Sequence, residues 1–159
     1  MGKAEFEAEK ITTNILAKGK VVDQPIIIGG REYNVTCVNV GNPHCVVFGT
    51  HIDAYNLAEI GPDFENAKYF PEKINTEFVR VVDSRTLRMR VWERGNGETY
   101  ACGTGACAAV VAAVENGFCK KGEEVIVKLK GGDLAITYND DGIFMTGNAV
   151  LVYEGEAEY

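Results

Sequence analysis

Five cysteines, Cys37, Cys45, Cys102, Cys107 and Cys119, are the strongest nucleophiles in this chain, and one of them sits in a setting built for proton transfer. The segment is Glu93-Arg94-Gly95-Asn96-Gly97-Glu98-Thr99-Tyr100-Ala101-Cys102-Gly103-Thr104-Gly105. A charged pair closes an alternating stretch, a glycine-rich turn follows, and Cys102 opens a long apolar run. The first N–H groups of a helix have no internal partner, and the helix dipole is positive at that end. Both favour thiolate over thiol, so the sequence predicts a Cys102 titration midpoint below the ordinary value of about 8.5. Gly103 and Gly105 leave their N–H groups open to an anion such as a carboxylate. A cysteine beside a carboxylate site is suited to removing a proton from the carbon next to that carboxylate. The bland reading is a small buried hydrophobe at a tight helix start, which is common for cysteine.

Two weaker signals accompany it. In Gly41-Asn42-Pro43-His44, Pro43 fixes a turn that offers Asn42 and His44 on either side. A turn Asn with a structural His is the commoner meaning of such a tripeptide. Asn75-Thr76-Glu77-Phe78 reads as a polar turn before a strand. Cys107 lies five residues beyond Cys102, rotated about 140° around a helix, and belongs to the core. Cys37, Cys45 and Cys119 are assigned to core or surface.

These groups need elements to hold them. Residues 103–116 predict a helix, apolar on all sides and therefore wrapped by other elements, with Gly117 just past its end. Residues 25–28 and 33–40 flank Gly29-Gly30 as a hairpin, and residues 44–48 form a short apolar strand. Asp53 is expected to cap a short helix through Glu59 that Gly61-Pro62 stops. Residues 78–82 and 87–92 form a second hairpin, with Leu87, Met89 and Val91 on one face and Arg88, Arg90 and Trp92 on the other. Residues 124–130 and 134–138 meet at Gly131-Gly132, and a last strand spans residues 143–153. Strands around one buried helix make an α+β fold.

The chain has 159 residues, which suits one domain. Its net charge of −7 argues against nucleic acid or an anionic membrane as partner. The start MGKAEFEAEKITTN is charged and lacks an apolar leader core, and no run of 18 apolar residues occurs, so a cytoplasmic location is expected. An odd cysteine count without C-x-x-C spacing predicts free thiols in a reducing compartment and no zinc site.

Taken in order, five segments resemble the diaminopimelate epimerase family: Val40-Gly41-Asn42-Pro43-His44-Cys45-Val46, Ile74-Asn75-Thr76-Glu77-Phe78, Glu93-Arg94-Gly95-Asn96-Gly97-Glu98-Thr99, Ala101-Cys102-Gly103-Thr104-Gly105-Ala106-Cys107-Ala108 and Met145-Thr146-Gly147-Asn148-Ala149. The resemblance implies two similar domains, each with mixed and antiparallel strands wrapped around a central helix, and an active site in the cleft between them. One cysteine from each domain would exchange the Cα proton on opposite faces of the substrate, with neither pyridoxal phosphate nor metal as cofactor. Residues 1–159 would be the second domain alone, and the first domain, with its own catalytic cysteine, would be its missing partner. By resemblance Cys102 is the second-domain thiol, and His44 and Glu93 tune the catalytic thiols. Glu93 also lies near the substrate amino group, Gly103 and Thr104 hold the α-carboxylate, and Asn42, Asn75 and Arg94 hold the distal carboxylate. The function implied is interconversion of LL- and meso-diaminopimelate in lysine biosynthesis, with a dicarboxylic amino acid as ligand and the isolated chain inactive. The last strand, with Tyr153, would approach the other domain or a homodimer partner. Two other readings stay open: a proline racemase-like or phenazine-biosynthesis-like isomerase of the same fold, and a binding or scaffold half without chemistry.

Overall fold

Alternation decides the sheet. In β5 (Thr86–Glu93) Leu87, Met89 and Val91 are buried and the residues between them are half-exposed, the pattern expected from the sequence. The computed structural model describes residues 1–15 and 19–158, and within them nine strands form one mixed sheet. β1 (Gln24–Ile28), β2 (Arg31–Asn39) and β3 (Pro43–Phe48) form an antiparallel meander. β3 then pairs in parallel with β4 (Asn75–Asp83), which forms the expected hairpin with β5. A short β6 (Gly97–Thr99) hangs on the end of β5. β5 pairs in parallel with β7 (Glu124–Leu129), followed by β8 (Gly132–Tyr138) and β9 (Ile143–Thr146) in antiparallel order.

The sheet curls around α3 (Gly103–Glu115), every residue of which from Gly105 to Ala113 is buried. Its Ala-rich sequence has no polar face to keep wet, and small side chains let strands approach on several sides. Val46, Val79, Met89, Val91, Val127 and Ile136 pack on it. The helix ends where the sequence predicts: Gly117 adopts φ 76°, and the Phe118 N–H returns to the Ala113 carbonyl at 2.8 Å. The mixed α+β class holds, but α3 is not alone. α1 (Ala8–Ile11), a 3-10 turn at Ile52–Ala54 and α2 (Leu57–Glu65) cover the opposite face. They close a second core around Cys37, Cys45, Val47, Phe64 and Phe78.

Three local expectations are corrected. Asp53 does not cap a helix through Glu59; its carboxylate accepts from Arg88 Nε at 2.8 Å, and α2 starts only after Asn56. Gly61-Pro62 does not stop α2, which runs through both residues. Pro62 forfeits one internal hydrogen bond, and Gly61 lets the helix lie against Trp92, where a Cβ would stand 2.2 Å from the indole. The last strand ends at Thr146 rather than at 153. Residues 147–158 carry no regular structure and are exposed, because among the described residues no further strand pairs with them. Val150 and Tyr153 are 82% and 83% exposed.

Candidate active site

Strand register brings the sequence motifs together. The parallel β3–β4 pairing sets His44 opposite Asn75 and Val46 opposite Glu77, so all four point to the α3 side. β4–β5 pairing sets Glu77 opposite Val91, and Glu93, two residues on, projects from the same face. Cys102, the N-cap of α3, comes down on this patch. Its backbone is extended (φ −139°, ψ 110°), and its Sγ accepts from the Gly105 N–H at 3.3 Å and meets Thr104 Oγ1 at 3.5 Å. The N–H groups of Gly103 and Thr104 belong to the first turn, where no intrahelical acceptor exists. Met145 of β9 lies over Gly103, its sulfur 3.3 Å from where a Cβ would stand.

His44 is fully buried. Its Nδ1 lies 2.7 Å from Glu77 Oε1 and its Nε2 2.9 Å from Asn42 Oδ1. Asn75 ties the two turns of the site together: its Nδ2 donates to the Pro43 carbonyl at 3.3 Å and its Oδ1 accepts from the Arg94 N–H at 2.9 Å. The Arg94 guanidinium is exposed and donates to the Glu72 carbonyl at 2.9 Å. Glu93 accepts from Thr99 Oγ1 at 2.5 Å. Asn42, His44, Asn75, Glu93, Arg94, Cys102, Gly103 and Thr104 thus gather at one end of the sheet, around the start of α3. Arg94 is exposed, Asn42, Glu93, Cys102, Gly103 and Thr104 are partly exposed, and His44 and Asn75 are buried. A cleft of about 510 Å³ lined by Tyr33, Tyr55, Asn56 and Asp63 lies between the β1–β2 turn and α2, and none of these residues enters it.

Two carboxylates escaped the sequence reading. Glu77 had a signal: it keeps the parity of the core residues Val79 and Val81, so a charge there falls on the apolar face. Glu65 gave none. It accepts from Trp92 Nε1 at 2.8 Å, from the Gly95 N–H at 3.2 Å and from Lys73 Nζ at 3.1 Å, and so pins the turn that carries Arg94. The Trp92 bond, then Lys73 and the Gly95 N–H, hold its carboxyl below the usual range despite burial.

The expected direction for Cys102 is overturned. Burial pushes its thiol up, and the carboxylates of Glu77 and Glu93 add to this; Thr104 and the Gly105 N–H pull the other way without prevailing. Desolvation disfavours the charged form, and here it outweighs the helix-start donors. Cys102 remains the most accessible thiol, since the other four are buried and Cys107 is pushed up to about 11. Brief iodoacetamide treatment with peptide mapping is therefore expected to label Cys102 first, with a midpoint above 8.5. Equal labelling of Cys102 and Cys107 in the folded chain would refute this, as would a midpoint below the ordinary value of about 8.5.

A diaminopimelate epimerase family model matches residues 36–152. The chain is 48% identical over 160 residues to a diaminopimelate epimerase of Acetivibrio thermocellus, covering 99% of this chain and 56% of the relative. It is 49% identical over 161 residues to one from Thermosynechococcus vestitus, covering 98% and 56%. It thus spans about half the length of these curated relatives. Among solved structures, a predicted epimerase from Pseudomonas aeruginosa superposes with a TM-score of 0.50 at 18% identity, over 96% of this chain and 57% of the other, a likeness of fold. With its five motifs gathered around one helix start, this chain belongs to the diaminopimelate epimerase family.

Proposed function

We propose that this chain is the second half of an epimerase that interconverts LL- and meso-diaminopimelate, and that it supplies one of two thiols acting on opposite faces of Cα. The observation that carries the reading is the placement of Cys102: a partly accessible thiol at a helix start, beside free N–H groups and two carboxylates. The substrate α-carboxylate would accept from the Gly103 and Thr104 N–H groups, which act where negative charge develops as Cα loses its proton. Glu93 would meet the α-amino group. Arg94, released from Glu72, would take the distal carboxylate with Asn42 and Asn75, a bidentate task for which a guanidinium is apt and which favours a dicarboxylic substrate.

In the forward step a thiolate on one face removes the Cα proton and a thiol on the other face delivers one, so the centre inverts and the two sulfurs exchange protonation states. The raised pKa direction at Cys102 suits the donor at rest. A second face must come from another polypeptide segment. The exposed apolar stretch around Val150 and Tyr153 is a surface such a segment, or a second copy, would cover.

The test is conversion of LL- to meso-diaminopimelate by this chain alone and by this chain mixed with the separately expressed first half of a relative. The chain alone is expected to give no turnover, because well-oriented reacting groups can be worth about 7–11 kcal/mol and half of them are missing. The mixture is expected to restore it. Full turnover by the chain alone would refute the half-site reading, and an inactive but physically associated mixture would favour a binding half.

A further inference from the structure

Glu77 is the least expected charge in the molecule. It is 0% exposed, flanked in the sheet by Val46 and Val91, and packed under the first turn of α3. Its Oε2 has no hydrogen-bond partner. A buried ion pair is weak support for stability, since apolar residues in its place commonly do as well. Packing therefore gives no reason for a carboxylate here, and an unpartnered oxygen is a standing cost.

The geometry around it brings both ring nitrogens of His44 into hydrogen-bond reach. His44 Nε2 faces Asn42 Oδ1 at 2.9 Å, an acceptor that a hydrogen on Nε2 would satisfy. The other ring nitrogen then lies 2.7 Å from Glu77 Oε1, an approach that requires one proton between them. The same Glu77 oxygen also faces the start of α3. The point where a Gly105 Cβ would stand is 2.7 Å from Glu77 Oε1 and 3.2 Å from Cys102 Sγ. Gly105 is the slot across which carboxylate and sulfur face each other, and any side chain there would separate them.

We propose that Glu77 is a positioning residue that shares one proton with His44 and, across Gly105, sets the protonation of Cys102. The role rests on the reading of Cys102 as a proton-transfer group. A carboxylate bonded to His44 and facing Cys102 across Gly105 would let the charge on the His44 side be felt by the thiol through space, so that Cys102 rests protonated and gives up its proton when charge on the cleft side changes. The other ionisable groups facing this cluster are Glu93 from β5 and Cys107 along α3, with Cys45 on the far side of β3. None of the three is hydrogen-bonded to Glu77.

Two readouts on this chain test it. Long-range ¹H–¹⁵N spectra should show a His44 Nδ1 proton shielded from exchange, with exposed His51 as internal reference, and Glu77→Gln should move that proton upfield. The same substitution should lower the midpoint of Cys102 alkylation by about one pH unit, equivalent to about a tenfold faster reaction at a fixed pH below it. Glu77→Asp, which keeps the charge but shortens the reach, should fall between. If Glu77→Gln does not fold, the His44 spectrum of the unaltered chain still decides: absence of an exchange-shielded proton between His44 Nδ1 and Glu77 overturns the proposal. An unchanged midpoint and unchanged His44 signal in folded Glu77→Gln overturn it as well. If these readouts hold while no mixture with a first half epimerises diaminopimelate, the functional reading fails and the proton-sharing pair stands. If turnover is present but Glu77→Gln is silent, only this inference falls.

Discussion

Cys102→Ala, in this chain combined with the complementary half, is expected to lower the rate of inversion by at least about 10³-fold. A positioned acid or base is worth about 10²–10⁴-fold, and in a two-thiol reaction the loss falls on one face entirely. KM should change little, because the N–H groups of Gly103 and Thr104 and the Arg94 side chain remain. The substitution removes a sulfur that is half-buried and that accepts one weak bond from the Gly105 N–H, so folding should survive. Deuterated water sharpens the experiment. A surviving thiolate on the opposite face can still exchange the Cα proton it reaches, so LL-substrate should acquire deuterium without becoming meso. Inversion within about tenfold of the unaltered rate would remove Cys102 from the mechanism. Loss of both exchange and inversion would mean that the two thiols act as one unit.

Gly61→Ala is expected to destabilise the fold by about 3 kcal/mol, the largest stability effect we foresee for a single methyl group. The added Cβ would stand 2.2 Å from Trp92 Cδ2 and 2.5 Å from Cε3. Neither partner can yield cheaply. Gly61 is buried in the middle of α2, and the indole is held by its Nε1–H bond to Glu65 Oε2 at 2.8 Å. Moving the ring also disturbs Glu65, which holds the Gly95 N–H. A change of this size should lower the melting temperature by roughly 6–12 °C for a domain of this length. Thermal denaturation checks it, and a fall of less than about 2 °C would mean that α2 can slide on the sheet without loss. If the substituted chain folds, the Arg94 turn should be loosened as well, since Glu65 joins Trp92 to the Gly95 N–H.

Much of this molecule is legible from neighbours in sequence. The bounds of α3 follow from the small-apolar run Gly105–Val114 set between Cys102 and Gly117, and the β4–β5 hairpin follows from alternation around Asp83-Ser84-Arg85. The placement of Cys102 at a helix start is equally local, because a cap depends on the residues that follow it. Features set by distant partners were read wrongly or missed. Gly61-Pro62 has the form of a helix stop, yet α2 continues because Trp92, 31 positions further on, offers a surface that only a glycine can approach. The strand pattern from residue 143 runs on to 153, but a strand needs a neighbour as well as a pattern, and pairing ends at Thr146. Helix donors alone predict a lowered Cys102 midpoint. Its direction is decided by burial and by Glu77 and Glu93, which the sheet register delivers from elsewhere in the chain. Glu77 meets His44 only because β3 and β4 run parallel with His44 opposite Asn75. Backbone propensities and caps act over a few residues and are written locally, whereas desolvation and through-space charge depend on which residues the fold stacks together.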